Sequence, residues 1–210
     1  MLSLIFVSIM GITQREIQQV FSTLDLSEEV FAYLASKFER IELKKGEHLL
    51  RAGNRVEHNY YLFDGCVRAY FIDDAGKEHT FQFALSDWWT SDYNAMLKKE
   101  PAMMNIEALK DTVLFALHMD DLEETCDKFP DVQRFHRRKL QGAFAAFQRR
   151  IMENLSKTAK ERYLNFIQAY PDIEREVKNY HIASYLGITS ESLSRIRREL
   201  SRKDKARAIS

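Results

Sequence analysis

Near the end of the chain, side chains that recognise rather than catalyse fall on one face of a helical stretch. Residues 179–200 read NYHIASYLGITSESLSRIRREL. At about 100° per residue, Glu191, Ser194, Arg195, Arg198 and, just beyond, Arg202 share a side, while Leu193, Ile196 and Leu200 share the opposite one. A guanidinium can bind guanine in bidentate fashion and a carboxylate can accept from the cytosine amino group. Arg residues farther along such a helix meet phosphates. Ser190, Glu191, Ser192, Ser194 and Arg195 are therefore expected at base edges of double-stranded DNA, and His181, Arg198 and Arg202 at phosphates.

The elements that must position these groups are legible in the same segment. Ile182, Ala183 and Leu186 line a short helix, and Ala183 is small where a second helix must cross closely. Gly187 supplies a residue tolerant of positive φ, Ile188 plugs the turn, and Thr189 or Ser190 can cap the next helix. Small residue, glycine four on, then apolar residues six and nine beyond predict a helix-turn-helix. Upstream, Lys157 to Ala169 forms a helix that Pro171 ends. Asp131 to Leu155 reads as a long helix in which Leu140, Phe144, Phe147, Ile151 and Leu155 recur at steps of 4, 3, 4 and 4. Its length, between two regions of different character, predicts a helix–helix seam in a homodimer.

Before this the period changes. Gly46, Gly53, Gly65 and Gly76 are four of only seven glycines. Between them lie Tyr60 to Phe63, then Val67, Ala69 and Phe71, then Phe81 and Phe83, with Val113, Phe115 and Leu117 later. Close turns between β-branched and aromatic runs predict an antiparallel β-roll or jelly roll. Thr13 to Lys37 has helical spacing. The fold class is thus α+β: residues 1–125 a sensor domain, 126–156 a dimerisation helix, and 157–210 a helix-turn-helix domain.

Charge divides along the same line. Net charge is zero, but residues 1–132 carry 13 Lys+Arg against 23 Asp+Glu, and residues 133–210 carry 18 against 8. A basic C-terminal segment suits a polyanion. No apolar run approaches the roughly 20 residues needed to cross a bilayer. The apolar start, Met1 to Ile12, lacks the preceding Lys or Arg of a signal peptide; it reads as an N-terminal extension, or as the product of an upstream start with Met10 as the true first residue. Two cysteines, Cys66 and Cys126, are too few for a disulfide framework or a four-thiolate site, so a cytoplasmic setting without cofactor is expected. The six histidines show no metal spacing. The chain has no GxSxG or GxxxxGK[ST] segment, so an enzyme is not expected. Trp88, Trp89, Tyr93 and Met103 either fill the roll or line an apolar pocket for an unknown small-molecule effector.

The turns KKGE, LFDGCVRAYF and DDAGKEHTFQF, with IASYLGITSESLSRIRREL, resemble the Crp/Fnr family of bacterial transcription regulators from about residue 20 to 201, in a subtype similar to that common in Bacteroidetes. The resemblance implies a cyclic-nucleotide-binding-like roll, a dimerising helix, major-groove reading and RNA polymerase as a partner. Two departures stand out. Where nucleotide-binding members carry Gly-Glu-Leu after an aromatic pair, this chain has Thr90, Ser91 and Asp92. Ala102 and Met103 stand at the Arg-Ser positions. The cation for a cyclic phosphate and the acid for a ribose hydroxyl are absent, so cyclic AMP is not the expected effector. The wing that usually follows the recognition helix looks shortened or missing, because RKDKARAIS shows no strand alternation. The competing reading is a sensor or scaffold of the same fold that no longer binds DNA.

Overall fold

The computed structural model describes residues 12–207, so all of the apolar start except Ile12 lies outside the described residues. Two compact units form: residues up to 71 together with 82–143, and residues 72–81 together with those from 144 on. Helices α1 (Gln14–Val20) and α2 (Glu28–Lys37) come first. Thr13 caps α1 through a capping box with Glu16, and the Ser27 hydroxyl caps α2. The stretch with helical spacing over 13–37 forms two helices, each with its own cap.

Eight strands follow: β1 (Phe38–Leu43), β2 (His48–Leu50), β3 (His58–Asp64), β4 (Cys66–Ile72), β5 (Glu78–Leu85), β6 (Trp88–Thr90), β7 (Asn105–Ala108) and β8 (Thr112–His118). Helix α3 (Tyr93–Lys98) lies between β6 and β7. They make two four-stranded sheets, ordered β1-β8-β3-β6 and β2-β7-β4-β5. The β-roll expected from the turn spacing is present, beginning and ending at Phe38 and His118. Gly65 closes the β3–β4 turn at φ +120, where a Cβ would meet the Thr112 Cα at 2.7 Å. Only glycine fits so close an approach. Asp73 folds the β4–β5 turn by accepting from the backbone N–H of Ala75 (3.0 Å) and Lys77 (2.9 Å).

Alternation in β8 is less simple than its sequence suggests. Phe115 and Leu117 join Tyr61 in a core against Ile17, Val20, Phe21, Leu34, Leu122, Val132 and Phe135 of the helices. Leu114 and Ala116, on the other face, are buried as well. In the second sheet the buried Arg68 and the half-buried Glu107 stand opposite in register and form an ion pair at 2.7 and 2.9 Å. The Arg68 guanidinium also lies 3.8 Å from the Tyr70 ring centre. A buried charge persists only when paired in this way.

The remaining helices are α4 (Met119–Lys128), α5 (Pro130–Ser156), α6 (Ala159–Ala169), α7 (Pro171–Glu176), α8 (Asn179–Leu186) and α9 (Ser190–Arg207). Pro171 ends α6 as expected but also opens α7, because a proline's missing N–H costs nothing in a first helical turn. Helix α9 runs on through RKDKAR, so no strand follows it among the described residues. No helix of the described residues is long and apolar enough to cross a membrane.

Candidate nucleic-acid interface

The turn between α8 and α9 is built by backbone hydrogen bonds that only one conformation allows. Gly187 sits at φ 65, ψ 35. Its N–H donates to the Ser184 carbonyl at 3.1 Å, and the Ile188 N–H donates to the Ala183 carbonyl at 3.0 Å. That pair is a Schellman closure, which satisfies carbonyls the helix end would leave open. Of the two caps the sequence allows, Thr189 is the one used: its hydroxyl oxygen accepts from the Ser192 N–H at 3.2 Å. Ile182, Ala183, Leu186, Leu193 and Ile196 are buried between the helices.

The outer face of α9 carries the expected chemistry. Glu191, Ser194, Arg195, Arg198 and Arg202 are exposed, while Ser190 and Ser192 are half-buried at the first turn. Backbone amide donation, then the Thr189 hydroxyl, hold the Glu191 carboxyl below its ordinary range, so it stays an acceptor. Arg198 donates to the Ser194 carbonyl of its own helix at 3.3 Å. Arg195 and Arg202 meet no hydrogen-bond or ionic partner among the described residues. His181 needs correction. It is only 3% exposed, with the Tyr180 ring 3.9 Å away, and does not present its ring to a phosphate. It is buried in α8 as Ile182 and Leu186 are, which the basic character of the residue does not reveal.

Residues that no spacing rule picks out fix the angle of α9. Arg197 Nε donates to the Tyr163 hydroxyl of α6 at 2.9 Å. Its Nη2 pairs with Glu174 of α7 at 2.8 Å, and Nη1 donates to Asn179 of α8. Lys160 and Glu199 join α6 to α9 at 2.5 Å. Ser184 of α8 accepts from the Thr80 N–H (2.8 Å) and donates to the Glu78 carbonyl (3.0 Å) of β5. These partners lie 18 to 106 residues apart, so a local pattern holds no trace of them.

Along α5 the apolar stripe is laid out as the spacing requires and left open. Leu140, Phe144, Phe147, Ile151 and Leu155 are all exposed, Phe144 at 64% and Leu155 at 84%. Phe147 stacks one face on Phe81 at 6.0 Å. Nothing among the described residues of one chain covers the rest of that row.

The four aromatic and methionine residues near the altered cassette do not converge. Trp89 packs into the helix-side core beside Tyr61 (5.4 Å) and Phe38 (6.2 Å), with His136 edge-on at 5.6 Å. The Tyr93 hydroxyl donates to Asn59 Oδ1 at 3.0 Å, and Asn59 Nδ2 donates to His136 Nε2 at 3.2 Å. Trp88 is half-buried on β6, whereas Met103 is 65% exposed. Trp89 is therefore core filling, and Met103 is outside any shared pocket. Residue spacing also gives no sign of what Asp92 does. Fully buried, its carboxylate accepts from the Ala95 N–H (3.1 Å) and the Met103 N–H (2.8 Å). An internal anion thus takes amides at the altered cassette.

Comparison with known proteins agrees with this layout. The cyclic nucleotide-binding domain family matches residues 40–129. The fumarate and nitrate reduction regulatory protein of Yersinia pestis is 24% identical over 192 residues, 86% of this chain and 76% of that protein. FixK2 from Bradyrhizobium japonicum has a similar structure, with TM-score 0.68 and 21% identity over 80% of this chain and 86% of that one. The c-di-GMP responsive global regulator CLP of Xanthomonas campestris also gives TM-score 0.68, at 12% identity over 85% of this chain and 93% of its own. In having a roll, a long helix and a helix-turn-helix in that order, with sequence similarity across most of the length, the chain is similar to the Crp/Fnr family of DNA-binding transcriptional regulators.

Proposed function

We propose that this protein acts as a homodimer that reads a palindromic operator with helix α9, and that its effector is not cyclic AMP. The observation that carries the reading is the division of α9: Leu193 and Ile196 are buried while Glu191, Ser194, Arg195 and Arg198 are exposed together. A two-fold dimer would set two such helices about one helical turn of DNA apart. The open apolar row on α5 supports the dimer, since a helix rarely leaves five large apolar side chains to water without a use. Residues 1–125 would then sense, 126–156 dimerise, and 157–210 bind DNA in the cytoplasm, with RNA polymerase as the downstream partner. An enzymatic role is not part of this reading.

Against cyclic AMP stand Ala102 in place of a cation and Asp92 already holding the amides. A cyclic phosphate buried there would have no counter-charge and would face a carboxylate. Fluorescence anisotropy on genomic operator fragments over a salt series tests the first part. Binding should weaken steeply as salt rises, because counterions return to the phosphates. Absence of any bound complex at low salt would overturn the reading. Calorimetry with cyclic AMP should give no saturable heat, and micromolar binding would overturn the second part.

A further inference from the structure

The second compact unit holds a cavity of about 450 Å³ walled by the later part of α5, by α6 and by α8. That volume is in the range of small-molecule sites, roughly 300–1,000 Å³. Three guanidiniums reach it, from Arg149, Arg150 and Arg162, against one carboxylate, Glu153. Glu153 is already engaged by Lys157 at 2.9 Å and Asn165 at 2.7 Å.

Among the described residues, Arg150 and Arg162 have neutral partners only. Arg150 Nη2 donates to the Tyr185 carbonyl at 3.1 Å, and its guanidinium lies 4.0 Å from the Tyr185 ring centre. Burial lowers its pKa. Arg162 donates through Nε and Nη2 to the Leu186 carbonyl (3.3 and 3.1 Å) and through Nη1 to the Lys157 carbonyl (2.8 Å). Arg149 is exposed and meets no partner among the described residues. A desolvated cation facing carbonyls and a ring still lacks its strongest partner, an anion. Capping of the α8 end accounts for the carbonyl contacts of Arg150 and Arg162, but not for Arg149 or for the open space between them.

The rest of the wall is aromatic. Phe166 lies 5.5 Å from both Tyr170 and Tyr185, and those two are 6.5 Å apart. We infer that this cavity binds a small anion carried on a flat ring, an aryl carboxylate or aryl phosphate. The guanidiniums would fork onto the anionic group, as their planar geometry favours, and the ring would lie against the wall that the three packed aromatics form. Arg150 and Arg162 hold the last carbonyls of α8, beside the Gly187 turn.

Calorimetry on the full-length, DNA-free protein tests this, and it stands or falls apart from DNA binding. The probes are benzoate, phenyl phosphate, inorganic phosphate and benzyl alcohol. Benzoate or phenyl phosphate should bind saturably with Kd of about 1 mM or below. Inorganic phosphate should bind at least about tenfold more weakly, and benzyl alcohol not at all. Arg150→Gln retains a donor for the Tyr185 carbonyl and should weaken aryl-anion binding about tenfold or more. Arg149→Ala removes an exposed side chain without a structural partner, so it keeps the test open if Arg150→Gln unfolds; it should weaken binding about threefold. No saturable heat from either aryl anion up to about 10 mM would overturn the inference. So would binding that neither substitution alters, or phosphate binding as tight as phenyl phosphate.

Discussion

At the scale of single residues, the exposed arginines of α9 divide into two kinds. Arg195 lies one helical turn from Glu191 near the start of the helix, where a recognition helix touches bases. Arg198 and Arg202 lie farther along, where phosphates would pass on the proposed reading. Arg195→Ala should cost roughly 1–3 kcal/mol on the operator and relax preference at one position of each half-site. Arg198→Ala should weaken binding alike on operator and random DNA and flatten the salt dependence. Equal losses for both on both kinds of DNA would leave only non-specific attraction. His136 is a second residue whose environment sets its behaviour. Burial holds its pKa below the usual 6.5, and its Nε2 must stay unprotonated to accept from Asn59. The unfolded chain takes up a proton near 6.5 that the folded chain resists, so this stability is full above that pH and is lost as pH falls through the depressed folded value. Half-buried His58 is shifted the same way. Urea midpoints should therefore drop between about pH 7.5 and pH 5.5. His136→Gln, which can still accept from Asn59, should make that drop shallower; an unchanged slope would remove His136 from the account.

At the scale of elements, the α8–α9 turn depends on one backbone conformation. A Cβ at Gly187 would meet nothing within 4 Å, so the objection to a side chain there is its φ of +65 alone. An L-residue in this region costs roughly 1–2 kcal/mol. Gly187→Ala should lower unfolding free energy by about that amount, and Gly187→Asn by less, since asparagine tolerates the left-handed region. Chemical denaturation distinguishes the two. A loss well above that range would mean that the methyl group collides, contrary to the open space seen. Thr189 contributes independently, through its hydroxyl at the head of α9.

At the scale of the whole molecule, the stripe on α5 is the surface a second copy would cover. Phe144 and Ile151 are 64% and 59% exposed, so charged replacements do not disturb the packing of a single chain. Phe144→Glu with Ile151→Glu should give a folded monomer by sedimentation, with operator affinity greatly reduced because one helix reads only one half-site. If the unmodified protein is monomeric at micromolar concentration, the seam has another use.

Periodicity and turn chemistry act between residues close in sequence, and what depends on them is legible in the sequence. The strands between Phe38 and His118, the long helix from Pro130, the Ala183–Gly187–Ile188 turn and the sorting of α9 into an apolar and a charged face all follow from local spacing. Contacts between distant residues are not legible there. The threefold anchoring of Arg197, the ion pair of Arg68 and Glu107, and the Asp92 carboxylate on the Met103 amide each join segments that only the folded chain brings together. The same reason accounts for His181: helix periodicity names a face, but only packing of the neighbouring helices decides whether that face meets water. Sequence by itself determined which elements form and which chemistry α9 can present. Tertiary structure decided which polar groups are spent within the fold and which, like Arg195 and Arg149, remain open to a partner, because burial and long-range hydrogen bonding are properties of the assembled chain.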